Sequence, residues 1–205
     1  GIISAIFSGI AYNAIGKLKN SEEPINIVIY FPMIALPITG IWCFFDFNFP
    51  VGTHAIGRLD KDSEGLLLLT TNKKITKLLF HGSEPHERKY LVQVINEISA
   101  ETIEMLSKGI AISAAKGEKY ITSPCIVLKV EKPHYINDRK TTIVHPNVKH
   151  SWITISLTEG RFHQVRKMVA AVHHKCLRLI RISIENIVLE GMQPGEVREV
   201  SEKYF

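Results

Sequence analysis

Apolar positions along the chain change period several times, and each change marks an element. Ile27-Val28-Ile29-Tyr30 is a continuous apolar run of strand length, followed by a turn-rich stretch. Gly65 to Thr71 is a second such run bounded by turn residues. Asn72 to Phe80 places Ile75, Leu78 and Leu79 at helical spacing and stops at Gly82. Tyr90 to Ile95 alternates as a strand. Ser99 can cap a helix that runs to Lys108 and stops at Gly109, in the left-handed conformation glycine adopts most readily. Cys125 to Val130 reads as a strand. In Trp152 to Leu157, Ile153, Ile155 and Leu157 share one face, with Thr154 and Ser156 on the other. Phe162 to His174 is an amphipathic helix whose core stripe is Val165, Met168, Val169 and Val172. Arg178 to Leu189 and Val197 to Val200 close the chain as strands, and Lys132 to His150 reads as a long loop.

These strands and helices do not alternate in the rhythm of a parallel α/β fold. They predict an α+β fold, a large, mostly antiparallel mixed sheet with flanking helices. At 205 residues the chain can form one such domain, with about 70% of its unfolded surface buried. Apolar residues at 45% and charged residues at 22% exclude a disordered or coiled-coil chain. Cys43, Cys125 and Cys176 lie far apart, so neither a disulfide framework nor a cysteine-built zinc site is expected, and a reducing, cytoplasmic setting follows.

Residues 24–45 carry no charge, which raises the possibility of a membrane anchor. Pro32, Pro37 and Gly40 would interrupt a spanning helix, and a signal peptide's cationic start and cleavage site are absent, so no membrane partner is expected.

Charge is unevenly placed. The chain carries +5 overall, yet Lys132 to Arg181 holds ten Lys or Arg against Asp138 and Glu159, a local +8. Such a surface fits a polyanion partner, above all nucleic acid, although a solvated basic face has the same composition.

Three segments can carry chemistry. In the first, Gly57-Arg58-Leu59-Asp60 and Ser63-Glu64-Gly65 form a turn before an apolar strand, which would project Arg58 and Asp60 from a rigid scaffold. The same turn can also arise with Asp60 or Asp62 merely capping backbone donors. In the second, Glu159 to Met168, a glycine turn opens the amphipathic helix. Arg166 falls beside the apolar stripe and needs a carboxylate partner, while Arg161 and Lys167 are free to meet phosphate; a structural ion pair would use Arg166 equally well. The third is Arg88-Lys89-Tyr90, where Tyr90 is either core packing or a stacking platform for a base.

Together these segments resemble one family. Gly57-Arg58-Leu59-Asp60 with Ser63-x-Gly65-Leu66-Leu67-Leu68-Leu69-Thr70, then a basic-x-Tyr strand, then Gly160-Arg161-x-His163-Gln164-Val165-Arg166, look like the pseudouridine synthases. The branch is the one modifying ribosomal RNA, with an A type for the small-subunit RNA and B, E and F types for the large-subunit RNA. Leu177-Arg178-Leu179-Ile180-Arg181 looks closest to the E type. The resemblance covers about residues 46–205. It implies a sheet with a central RNA-binding cleft, and isomerisation of a uridine in large-subunit ribosomal RNA by base flipping, without cofactor or metal. Asp60 matches the essential aspartate, Tyr90 the active-site tyrosine, Arg166 the arginine paired with the aspartate and Leu179 the apolar wall of the uracil pocket. Arg58 matches the residue that fills the space left by the extruded nucleotide. Arg88, Arg161, His163, Gln164, Lys167 and Arg181 are the expected RNA contacts.

The chain departs from the family in three places. Phe31-Pro32 lacks the family's lysine, Ile34 to Phe45 is more apolar than in relatives, and Glu185 stands where relatives often have glycine. The 53 residues before His54 are mostly apolar with little positive charge, so a separate N-terminal RNA-binding domain is not expected. A monomer is expected. A non-catalytic rRNA-binding or ribosome-assembly protein with the same fold is the alternative.

Overall fold

The computed structural model of the protein describes residues 26–31, 49–75, 85–113, 118–138 and 148–200. In chain order these form strands β1 (Asn26–Phe31), β2 (His54–Ile56), β3 (Glu64–Thr70) and β4 (Arg88–Ile95), then helix α1 (Ala100–Lys108). Strands β5 (Ala111–Ser113), β6 (Lys119–Ile121), β7 (Ile126–Val130) and β8 (His150–Leu157) follow. Helix α2 (Gln164–Ala171) leads to β9 (Cys176–Ile184), β10 (Ile187–Val188) and β11 (Val197–Val200). Residues 73–75 are helical; the rest of the helix expected there lies outside the described residues, as do residues 32–48 and the expectations placed on them.

The chain divides into two compact units, one of Gly1–Arg58, Leu67–Ser83 and Met192–Phe205, the other of Leu59–Leu66 and Glu84–Gly191. In the first, β1 pairs antiparallel with β11 from Asn26↔Val200 to Ile29↔Val197. There too β2 pairs antiparallel with β3 from His54↔Thr70 to Ile56↔Leu68. The uncharged stretch 24–45 thus contains a strand, and no helix among the described residues is long and apolar enough to cross a membrane.

The second unit holds the start of β3, Glu64–Leu66, and beside it in sheet order β9, β4, β8 and β7. β3 runs parallel to β9, while β9, β4, β8 and β7 pair antiparallel in turn. The fold is α+β. Cross-strand register fixes which side chains meet. Tyr90 lies opposite Ile155 on β8 and Arg181 on β9, and Val92 lies opposite Ile153 and Leu179. Because successive strand residues face opposite ways, Tyr90, Val92, Leu179 and Arg181 share one face of the sheet. α2 packs on β9 and contributes Val165, Met168 and Val169, with Val172 just past its end, to the core cluster that holds Val92, Ile153, Ile155 and Leu179. Full burial of each such side chain contributes about 1.5–3 kcal/mol.

Local chemistry accounts for most element ends. Ser99 Oγ accepts from Thr102 N at 3.2 Å and starts α1. Gly109 ends that helix with φ 96 and ψ 142, an extended conformation of positive φ and not the left-handed stop expected. A Cβ there would lie 2.2 Å from the Thr122 carbonyl, so close backbone approach is what requires glycine. α2 is shorter than the sequence pattern because His163, at φ 54 and ψ 31, is left-handed and Val172 has already left helical geometry. The apolar run from Arg178 to Leu189 is a hairpin and not one strand, since Glu185 takes φ 48 and returns β10 along β9. The carboxylate of Glu185 holds that turn by accepting from Glu87 N and from His86 Nδ1. These contacts offset a backbone cost of about 1–3 kcal/mol at a residue that is not glycine.

Candidate active site

Asp60 stands on a tight turn closed by the Ser63 N–H donating to the Asp60 carbonyl at 2.9 Å. Directly after the turn, β3 is bound to β9. Gly65, at φ 102, pairs with Arg181 so closely that a Cβ would sit 2.2 Å from the Arg181 carbonyl. Two arginines of β9 secure the strand further. Arg181 donates through Nε and Nη2 to the Leu66 carbonyl, at 2.8 and 2.6 Å. Arg178 grips the Glu64 carboxylate through Nε at 3.1 Å and Nη2 at 2.9 Å, and donates Nη1 to the Asn137 carbonyl at 3.0 Å. The turn carrying Asp60 therefore leads into a strand clamped on its neighbour.

Sequence reasoning placed Arg181 against RNA. The structure buries it at 3% exposure, with its donors on Leu66 and a hydrogen bond to Tyr90, its cross-strand partner. Burial pulls the guanidinium below its ordinary pKa, the Tyr90 hydroxyl and the Asp60 carboxylate oppose that fall, and Arg88 adds to it. Arg181 thus links the Tyr90 ring to the strand that follows Asp60. Leu179 lies two residues away on the same face, 4% exposed in the core cluster against which Tyr90 packs.

The second motif meets the first at the start of α2. The left-handed backbone of His163 brings its Nε2 to 3.7 Å from Asp60 Oδ1. Arg166 directs Nη2 to the Asp62 carbonyl and not to the Asp60 carboxylate, so the expected partner is replaced by the backbone of the same turn. Its Nε is buried without a hydrogen bond. Lys167 donates to the Ser113 carbonyl at 2.7 Å, and Arg88 donates Nη2 to the Thr158 carbonyl at 3.1 Å. Arg161 lies over the Tyr120 ring at 4.3 Å. Cys125 and Cys176 are free thiols that burial pushes up to about 11, so neither supplies a thiolate nucleophile at neutral pH.

Glu159 has a role that sequence reasoning missed. Its carboxylate accepts from the Tyr120 hydroxyl, from Ser123 N at 3.0 Å, from Ser123 Oγ at 3.2 Å and from Gln164 Nε2 at 2.6 Å. Gln164 in turn accepts from Arg161 N at 2.9 Å, so an expected RNA contact instead organises the entry to α2. Burial tends to raise the Glu159 pKa, but the bonds from Tyr120, Ser123 and Gln164 outweigh it and hold the carboxyl below its ordinary 4.5. A depressed folded-state pKa stabilises the fold above 4.5, and this contribution disappears as pH falls through the lowered value. Glu159→Gln is therefore expected to be less stable than the wild type at neutral pH. The difference, measured as urea midpoints, should narrow as pH falls below 4.5; a constant difference would contradict the assignment.

The second unit thus holds a half-buried carboxylate just before β3, a tyrosine and a leucine on one sheet face, and cations around the start of α2. A profile of the family described as RNA pseudouridylate synthase matches residues 48–171, and the chain belongs to that family. Within it, the chain stands in the branch of the ribosomal E-type (large-subunit) and A-type (small-subunit) synthases. It is 33% identical over 154 residues to ribosomal large subunit pseudouridine synthase E of Xanthomonas campestris pv. campestris, covering 75% of this chain and 80% of that one. With the E synthase of Vibrio parahaemolyticus the identity is 32% over 147 residues, 72% of this chain and 60% of the relative. With ribosomal small subunit pseudouridine synthase A of Escherichia coli K12 it is 31% over 151 residues, 73% of this chain but 56% of the relative. A crystal structure of a pseudouridylate synthase superposes with a TM-score of 0.66 at 26% identity, over 91% of this chain and 74% of that one.

Proposed function

We propose that the chain converts a uridine of large-subunit ribosomal RNA to pseudouridine, with Asp60 as the catalytic carboxylate. The C1′–N1 bond breaks, the uracil turns, C1′ bonds to C5, and the proton on C5 leaves while N1 gains one. The observation that carries this reading is the placement of Asp60 on a turn whose following strand is tied through Arg181 to Tyr90. Extrusion of the base costs a few kcal/mol, which contacts with the flipped base offset. Tyr90 and Leu179 flank that base. Arg166 orders the Asp60 turn through the Asp62 carbonyl, and its other Nη N–H groups serve Asp60 or the RNA. Arg58, two residues before Asp60, fills the space the nucleotide leaves. Arg88, Arg161 and Lys167 hold backbone phosphates, which fix register without reading sequence. The chemistry calls for no cofactor or metal, and the enzyme acts as a monomer in the cytoplasm. Transcripts of large-subunit rRNA carrying 5-tritiated uridine test the proposal: the protein is expected to release tritium to water, and no release under conditions of demonstrated RNA binding would overturn it.

A further inference from the structure

Phe162 occupies the one position of the Gly160–Arg166 motif that the family resemblance leaves open, and its surroundings are unusual. It is 69% exposed, and among the described residues it is the only aromatic of the large exposed hydrophobic side chains. The ring is nonetheless well placed. It stacks on the imidazole of its neighbour His163, with centroids 3.9 Å apart and planes 17° from parallel. Consecutive side chains on regular strands or helices point apart; here the left-handed backbone of His163 accompanies the stack. The inner ring of the pair reaches the catalytic carboxylate, His163 Nε2 lying 3.7 Å from Asp60 Oδ1. The outer ring faces water, with Lys167 Nζ 5.5 Å from its centroid and Arg161 preceding it in the chain.

We propose that Phe162, backed by His163, is a stacking subsite for an unpaired nucleobase of the RNA next to the nucleotide that Asp60 engages. This rests on the reading of Asp60 as the catalytic carboxylate. A flat π-face supported from behind and accompanied by cations suits a base attached to a phosphate backbone, because every base presents a π-face and every linkage a charge. An apolar protein partner would meet a cationic surround here instead of an apolar one. The target uracil belongs to the Tyr90–Leu179 face, so Phe162 takes a neighbouring base, and it contributes to binding without touching the reacting atoms.

The test compares Phe162→Leu and Phe162→Trp with the wild type, on the 5-tritiated large-subunit rRNA transcript. Leucine keeps apolar bulk but removes the π-face, and tryptophan enlarges the π-face. Phe162→Leu is expected to raise KM and the RNA Kd roughly 10-fold, with kcat changed less than about twofold. The slope of log Kd against log salt should not change, since no phosphate contact is lost. Phe162→Trp should bind within about twofold of the wild type, and RNA should quench its fluorescence beyond the quenching of the native tryptophans. The proposal is overturned if the leucine variant binds like the wild type, if leucine and tryptophan are equally impaired, or if kcat falls at constant KM. Failure of the functional reading would look different, with no tritium release by the wild type and the binding and fluorescence results unaffected.

Discussion

Asp60→Asn is expected to abolish tritium release, with kcat lowered by on the order of 10⁴-fold or more, as when a reacting group is removed from other enzymes. RNA affinity should change little. Asparagine keeps the shape of the side chain and the Ser63–Asp60 backbone turn, and it removes only the charge and nucleophilicity of the carboxylate. His163 Nε2 loses a carboxylate neighbour at 3.7 Å, but the aspartate is partly exposed, so that contact adds little to stability. The outcome separates the enzyme from a binding protein of the same fold. A variant that still releases tritium at the wild-type rate would remove Asp60 from the chemistry, and a variant that fails to bind RNA would make it a structural residue.

The second large effect concerns the scaffold beneath the site. Arg178→Met should destabilise the protein by about 3–5 kcal/mol, because it leaves the Glu64 carboxylate buried without its bidentate partner. Both side chains are almost fully buried, at 5% and 6% exposure, so solvent cannot replace the lost donors. For a chain of this size the loss corresponds to a fall in Tm of about 10 °C. The exposed pair Lys108–Glu104 makes the contrast, since breaking it should cost no more than about 0.5 kcal/mol. Replacing Arg178 and Glu64 together by apolar residues of similar volume should recover much of the loss. If Arg178→Met shifted Tm no more than a surface substitution, the Arg178–Glu64 pair would not be what holds β3 to β9.

Much of this arrangement was legible in the amino-acid sequence, because the information was local. β4, β8, α1 and α2 follow from period-two and helical spacing, and Ser99 marks the start of α1 through a hydrogen bond three residues away. Motif order pointed to Asp60, Tyr90 and Leu179 as site candidates. The rest depended on distant partners. β2, β5 and β6 are three residues long, too short for a period to show. The Glu185 turn depends on hydrogen bonds to His86 and Glu87, about a hundred positions earlier. Glu159 gained its role from Tyr120 and Ser123, residues outside any motif. Arg181 is the instructive case. Charge alone assigned it to RNA, whereas strand alternation puts it on the buried face with Leu179, and its long side chain is satisfied there by Leu66 and Tyr90. Position along the strand outweighed residue type.

In the proposed reaction a single carboxylate on this scaffold changes uridine to pseudouridine in ribosomal RNA. Pseudouridine mapping of large-subunit rRNA from cells lacking the protein tests it most directly, with the wild type and Asp60→Asn supplied back in turn. The expected result is one or a few uridines unmodified in the absence of the protein, restored by the wild type and not by the variant. An unchanged map, or restoration by Asp60→Asn, would contradict it.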